Sequence, residues 1–451
     1  MTLPFSTGGH FEPDPATLTR STVRRYFERT WSLYKTCFGA LDRAAFDLAP
    51  HKLRLPMSFY YGHTAAFYIQ KLKLAGVVEE AGLGELDDKL ERGVSPEDPD
   101  DLAGAGRWPD YETVRDYRRQ ARRTVLDAIA RIEFSGKVRP GSPAWAVLMG
   151  VEHENIHLHT ILPLIRMIPP ELKTRPDGWP RPPRKAVDLS GEPAWADIPG
   201  GPVAYGCGPD KEGFGWDNEF GWRKTNVEGF QSARWPVTHA EYLRFVEDGG
   251  YERREFWRTS GADLFLDRLS TGRPECWTEG DDGGLRYRGA FEDADMIWSA
   301  PVEVNRHEAS AYAAWAGARL IAEDEFHRLL DVCAGGVEGA QTLRDSLDIA
   351  FRAAAPRRVA PDAAPGGVDF LGNVALWAAD DFSPLAPDAF TPDPLYPDFS
   401  EPWFGPQTGQ LLGASYAMCG HMGRIGVMRD FMQNHMGQIA GIFLVRARYD
   451  G

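Results

Sequence analysis

A chain of 451 residues with 43% hydrophobic and 25% charged side chains is too long for one ordinary core and too apolar to be disordered throughout. Its 65 acidic and 50 basic side chains give a formal net charge of −15, which repels a phosphate backbone and excludes nucleic acid as a partner. Five widely spaced cysteines, Cys37, Cys207, Cys276, Cys333 and Cys419, lack any C-x-x-C pair, so neither a disulfide framework nor a thiolate zinc site is expected.

The opening MTLPFSTGGHFEPDP has no basic segment followed by an apolar one, and no apolar run nears the roughly 20 residues that span a bilayer. The expectation is a cytoplasmic protein with no membrane partner. Asp14-Pro15 reads as an N-cap with proline at the first helical position, and Val23, Phe27, Trp31 and Tyr34 follow at helical steps, predicting a helix over 15–38. A second helix is expected after Tyr61-Gly62 through HTAAFYIQKLKLAG. The stretch from Gly82 to Trp108 is a Gly-, Asp- and Pro-rich connection to a third, marked by Val114, Tyr117, Ala121, Val125, Ile129 and Ile132. Ser142-Pro143 opens a fourth, AWAVLMGVEHENIHLHTILPLIRMI, with Pro163 expected to bend or break it. Four such helices suggest a bundle over 1–168. The Pro-rich, charged run 169–195 reads as a linker. Beyond it, 196–451 has short apolar segments and two helix-like stretches, 239–249 and 306–333, the pattern of a loop-rich α+β domain.

The sharpest local feature is His153-Glu154-Asn155-Ile156-His157 in the fourth helix. Residues four apart stack on one helix face, so two imidazoles can share a metal. Met149, His153, Ile156, His157, Thr160 and Leu164 form one stripe directed into the bundle. A histidine pair at this spacing is as often plain filler as ligand. The same H-E-x-x-H describes zinc peptidases, in which the glutamate is the general base, but the usual third-ligand continuations are missing here. His63, in SFYYGHTAAFYIQKL, offers a third imidazole. Three neutral imidazoles leave up to three positions on a six-coordinate ion and suit Fe, Zn, Cu and Ni alike.

Five segments, YYGHTAAFYIQKLKLAG, MGVEHENIHLHT, FGWDNEFGW (214–222), WSAPVEVNRHEASAYAAWAGARL (298–320) and DPLYPDFSEPWF (393–404), together resemble the nonheme-iron sulfoxide synthases of thiohistidine biosynthesis. The likeness is strongest to the ovothiol-pathway branch and more distant to the hercynine-using ergothioneine branch. It implies a DinB-like four-helix bundle followed by a formylglycine-generating-enzyme-like α+β domain of the C-type-lectin kind. It also implies Fe(II) on His63, His153 and His157, with O2 joining the sulfur of L-cysteine, or another small thiol, to the imidazole of L-histidine or its N-methylated form. Methylation and later C–S cleavage would fall to a separate methyltransferase and a C–S lyase. A copper oxidase like the formylglycine-generating enzymes is disfavoured, because Cys419 has no second cysteine shortly after it.

The resemblance also implies an active-site tyrosine, for which Tyr416 is the candidate, with Tyr60, Tyr61 and Tyr396 as competitors. Arg115 and Arg118, at helical i,i+3 spacing, and Arg429 are the candidates for holding substrate carboxylates, a task suited to the guanidinium fork. The chain departs from the family at His159, where a glutamate is usual, and in the Met-rich end, MCGHMGRIGVMRDFMQNHMGQIAGIFLVRAR. His159 is expected to support the site from behind or to point outward. In the Met-rich end, Arg424, Arg429, His435 and Arg446 are the polar survivors, and most methionines read as core filler.

Overall fold

Thr19 caps the first long helix, α1 (Arg20–Gly39), through a reciprocal pair of hydrogen bonds with Thr22, whereas Asp14 and Pro15 start only a single 3-10 turn at Pro15–Thr17. The computed structural model describes residues 12–79, 82–91, 108–134, 138–180, 194–269, 271–344 and 368–448, with Leu347, Phe351, Ala353 and Ala355 beside them. The next helix, α2 (Met57–Leu74), begins well before Gly62. That glycine does not break it: a Cβ there would meet Leu90 Cδ1 at 2.8 Å and Val114 Cγ1 at 3.0 Å, so glycine lets two neighbouring helices close in.

The short α3 (Leu86–Glu91) lies against α2, and α4 (Tyr111–Arg131) is capped by Asp110. Ser142 accepts from the Trp145 amide to start α5 (Pro143–Met167), as its Ser-Pro signal predicts. Pro163 neither ends nor interrupts this helix. One missing N–H is tolerated because Ile161, Leu162, Leu164 and Ile165 around it are buried and hold the turn by packing. α2 and α5 are apolar on nearly every face and form the centre, while α1 and α4 turn one polar face outward. At Gly150 a Cβ would lie 2.2 Å from the Tyr68 ring, which fixes how closely α2 and α5 approach.

Residues 169–180, expected as linker, are packed rather than free. Lys173 pairs with Leu41 in a β-bridge and donates to the carbonyls of Ile165 and Arg166, and Trp179 lies against Phe291 and Phe351. The rest of the run, 181–193, most of the Gly82–Trp108 connection and the first 11 residues lie outside the described residues.

The second domain is built on two four-stranded sheets. One orders Trp195–Ile198, Phe230–Ala233, Leu444–Ala447 and Arg319–Leu320, all antiparallel, so the C-terminal strand lies between Phe230–Ala233 and Arg319–Leu320. The other orders Asp430–Gln433, Gly405–Leu412, Ala375–Phe382 and Ala440–Gly441, the last pair parallel. A two-stranded ladder (Gly201–Cys207 with Gly221–Val227) and a three-stranded one (Trp277–Glu279, Leu285–Arg288, Asp293–Asp295) complete it. The stretch 306–333 is two helices, Arg306–Trp315 and Glu323–Ala334, divided at Gly317, whose φ of +64° suits glycine.

Helix α5 joins the two halves along its length. Trp145 Nε1 donates to Asp393 Oδ2 at 2.8 Å, Cys419 Sγ approaches Asn155 Oδ1 at 3.3 Å, and Arg166 pairs with Glu303. Between these, His421 forms a buried charge relay. Its Nδ1 meets Glu12 at 2.7 Å and its Nε2 meets Glu219 at 2.6 Å, while its backbone N–H donates to Glu152 at 2.9 Å. Burial alone would lower the His421 pKa, but Glu219 and Glu12 outweigh it and raise it to about 9. Because the folded value exceeds the unfolded one, this stabilisation is complete below pH 6.5 and is lost as pH rises through about 9. The neighbouring Glu152, raised to about 7 chiefly by burial, has lost most of its own contribution by pH 7 and adds only a small decline of the same sign above it. Chemical denaturation between pH 7 and 10 is therefore expected to show a loss on the order of 3 kcal/mol, and His421→Gln should flatten that slope. An unchanged slope in the variant would rule the relay out as its source.

Candidate metal centre

His153 and His157 project from one face of α5, and His63 projects from the facing side of α2. Their ring centroids lie 4.5 Å (His153–His157), 4.7 Å (His63–His157) and 5.1 Å (His63–His153) apart. One nitrogen from each falls within 4.8 Å of the others, the one such cluster of His, Cys, Asp or Glu among the described residues. Packing fixes the rings: His153 stacks on Phe67 at 3.5 Å and His63 stacks on Phe59 at 5.1 Å. His63 Nδ1 lies 2.7 Å from the Leu90 carbonyl, which assigns its proton to Nδ1 and leaves Nε2 for a ligand.

The electrostatics suit a cation. Burial pushes the His63 pKa down to about 4, and burial together with the other rings holds His153 and His157 well below their usual value. All three are neutral, with lone pairs available, at physiological pH. The Nδ1 atoms of His153 and His157 are buried without a hydrogen-bond partner, and orphaned polar atoms of this kind are uncommon in an interior. A transition metal on three neutral imidazoles fits this donor set. His157 is partly open to solvent while His153 and His63 are buried, so small molecules can approach from the His157 side.

Glu154, the glutamate of the H-E-x-x-H string, faces the other way. It is wholly buried and accepts from Arg118 at 2.9 Å, Thr64 at 3.1 Å and Tyr68 at 3.2 Å. A carboxylate so occupied cannot act as the general base of a zinc peptidase.

The structure redistributes the other candidates. Arg118 does not face a substrate: its guanidinium serves Glu154, Thr64 and the Tyr61 carbonyl beneath the rings of Trp31, Tyr34 and Tyr61. Arg115, three residues earlier, lies on the outer surface with Glu112 and Asp116, because the helix turn that buries Arg118 leaves it outside. Arg429 is buried in the second domain with its donors given to Glu323 and to the carbonyls of Asn218 and Ser383. Tyr416 is also fully buried, its hydroxyl set among Glu303, Tyr287 and Arg166. Arg166 is nine residues past His157, about 13 Å further along α5, so Tyr416 sits in the interdomain clamp.

The tyrosine beside the triad is Tyr396, whose ring centroid lies 5.0 Å from Phe67 and 6.3 Å from His153. Lys71 Nζ is 4.4 Å above the Tyr396 ring and 4.5 Å above Phe67. Sequence reasoning missed Phe67 and Lys71, although the four-residue steps His63, Phe67, Lys71 on α2 carried the signal. His159 is wholly buried, with Nδ1 3.9 Å from Asp430 Oδ2, so it does not point outward. Of the C-terminal methionines, Met418, Met422, Met428 and Met436 are buried. Arg424 pairs with Glu12, and Arg446 holds Gln231 over the Trp195 ring.

Residues 26–161 match the DinB superfamily, and residues 188–447 match the family described as the sulfatase-modifying factor enzyme 1-like domain. A DinB bundle followed by this α+β domain, with a three-histidine centre on the bundle, defines an oxygenase, and the chain belongs to the two-domain sulfoxide synthase family. Its similar relatives include hercynine oxygenase of Mycolicibacterium smegmatis, 32% identical over 65% of this chain and 68% of that one. Hercynine oxygenase of Mycobacterium tuberculosis is 31% identical over 68% of this chain and 71% of the relative. Ergothioneine biosynthesis protein 1 of Schizosaccharomyces pombe is 22% identical over 84% of this chain and 50% of its own. These names belong to the branch to which the motifs pointed less strongly. Among the described residues no helix is long and apolar enough to cross a membrane.

Proposed function

We propose that this enzyme is a nonheme Fe(II) oxygenase that uses O2 to join the sulfur of a small thiol, L-cysteine in the simplest case, to the imidazole of hercynine. The observation that carries the reading is the convergence of three neutral imidazoles, two of them fully buried and two with orphaned Nδ1 atoms, on one point. Iron(II) bound there would supply open positions for thiolate and O2 and would pass to O2 the electrons that the two substrates give up. In the overall reaction the S–H and one ring C–H bond are lost and a C–S and an S–O bond form. One oxygen atom of O2 ends on sulfur and the other leaves as water with both hydrogens.

The chain's own part is to position and shield. Phe67, Phe59 and the α2–α5 packing hold the imidazoles in a dry wall, and the partly open side at His157 admits substrate. The Tyr396 phenol, whose pKa is raised by burial first and then by Asp398 and Glu91, stays protonated, and its ring closes the wall behind Phe67.

The hercynine names of the relatives favour the trimethylated substrate, whereas the five motif segments favour L-histidine. Anaerobic loading with Fe(II), then O2 with cysteine and either imidazole, separates them by product mass. The expected product is the sum of hercynine and cysteine plus one oxygen and minus two hydrogens. Coupling of L-histidine in preference would move the enzyme to the other branch. Iron binding without coupling of either would overturn the proposed reaction.

A further inference from the structure

The wall behind the triad contains a charge that packing does not require. Lys71 follows His63 and Phe67 at four-residue steps on α2, so the three side chains rise along one face of that helix. Its side chain is only 5% exposed, and burying an ammonium is costly unless partners replace its water. Those partners are few. Nζ donates to Glu91 Oε1 at 3.4 Å, long for such a bond, and otherwise meets the rings of Phe67 and Tyr396, 4.5 and 4.4 Å from their centroids. A methionine would fill the same space with no charge to desolvate.

What the charge faces is the metal centre. The Phe67 ring lies 3.5 Å from the His153 ring and within 5° of parallel, so Lys71, Phe67 and His153 follow one another as ammonium, arene and imidazole. Tyr396 of the second domain closes this stack edge-on, 5.0 Å from Phe67. No water fits between rings in such contact, and the field of Lys71 reaches His153 through aromatic matter rather than solvent. The buried Arg118 is balanced by an equally buried Glu154. The partner of Lys71, by contrast, is 33% exposed, so water screens the carboxylate more than the ammonium.

We infer that Lys71 acts on the metal centre through Phe67, its fixed ammonium opposing any gain of positive charge there and so holding bound iron as Fe(II). Lys71 touches no ligand nitrogen; it is a positioning residue that places a charge behind one. The inference deepens the proposed function and rests on it for the identity of the metal. Three neutral imidazoles bring no negative charge that would favour Fe(III), and Lys71 adds to that bias toward the oxidation state from which the proposed reaction starts.

The test is a potentiometric titration of the full, iron-loaded chain without substrates, with high-spin Fe(III) read by electron paramagnetic resonance, alongside anaerobic calorimetry with Fe(II). Lys71→Met should shift the balance toward Fe(III) about 10-fold, a midpoint about 59 mV lower for the one-electron couple. It should also bind Fe(II) at least about 10-fold more tightly, because a repelling charge is gone, whereas a variant that only disturbed packing would bind Fe(II) more weakly. Lys71→Arg should keep the midpoint within about 3-fold of the wild-type balance. Glu91→Gln, at the half-open partner, should move the balance about 3-fold toward Fe(II), and it serves should Lys71→Met not fold. An unchanged midpoint or a weaker Fe(II) affinity in Lys71→Met would overturn the inference, as would an unchanged or lowered midpoint in Glu91→Gln. A chain that shows these shifts but yields no coupled product would overturn the proposed reaction and leave the role of Lys71 standing. A wild-type chain that binds no iron would overturn both.

Discussion

His153→Ala is expected to lose iron and turnover together. The ring it removes is buried, clamped against Phe67 at 3.5 Å and central to the triad, being within 5.1 Å of both partner rings. Even indirect supports of a metal ligand are worth about 10–100-fold in affinity or activity, so loss of a ligand should reduce affinity at least about 100-fold. Iron content after desalting and the rate of coupled product are the measurements. Folding should survive, because alanine is the best helix former and fits the middle of α5. A His153→Ala chain that keeps stoichiometric iron would show that the metal sits elsewhere.

Removing one partner of the Arg118–Glu154 pair should produce the largest loss of stability. Both side chains are essentially inaccessible, and Glu154 also takes its other hydrogen bonds from Thr64 and Tyr68. In Arg118→Met the carboxylate would be left buried without its cation, at about 3–5 kcal/mol. The double variant Arg118→Met with Glu154→Leu should recover much of this, since a buried pair contributes little net stability over apolar groups of similar size. Denaturant midpoints of the two single variants and the double variant decide it. If Arg118→Met were neutral in stability yet raised KM for substrate, its assignment as a structural group would be wrong and the carboxylate-binding role would return to it.

These two residues show what the sequence could and could not reveal. The histidines were legible because H-x-x-x-H is a statement about helix geometry, and helix geometry is local. Ser142-Pro143 marked the start of α5 for the same reason. Gly62 misled because a glycine inside a helix reads as a break, whereas here it answers the approach of Leu90 and Val114, which lie at other points of the chain. Pro163 misled likewise: its cost is local, and the packing that outweighs it is not. Arg115 and Arg118 looked like one pair at i,i+3, but only the bundle reveals that Glu154 waits for one and solvent for the other. The surroundings of Tyr416 were hidden for the same reason, since the Arg166–Glu303 clamp that encloses it is assembled from residues 137 positions apart.

Five of the six residues from Glu152 to His157 face in three directions. Glu152 and Asn155 hold the second domain through His421 and Cys419, His153 and His157 face the metal centre, and Glu154 ties α5 to α2 and α4. The metal-binding string is consequently not a portable cassette. Transplanted into another four-helix bundle it would bring along an acid that demands an arginine, another that demands a partner domain, and an asparagine fitted to a cysteine more than 250 positions away. An engineer seeking this centre in a smaller scaffold would have to rebuild three surfaces at once.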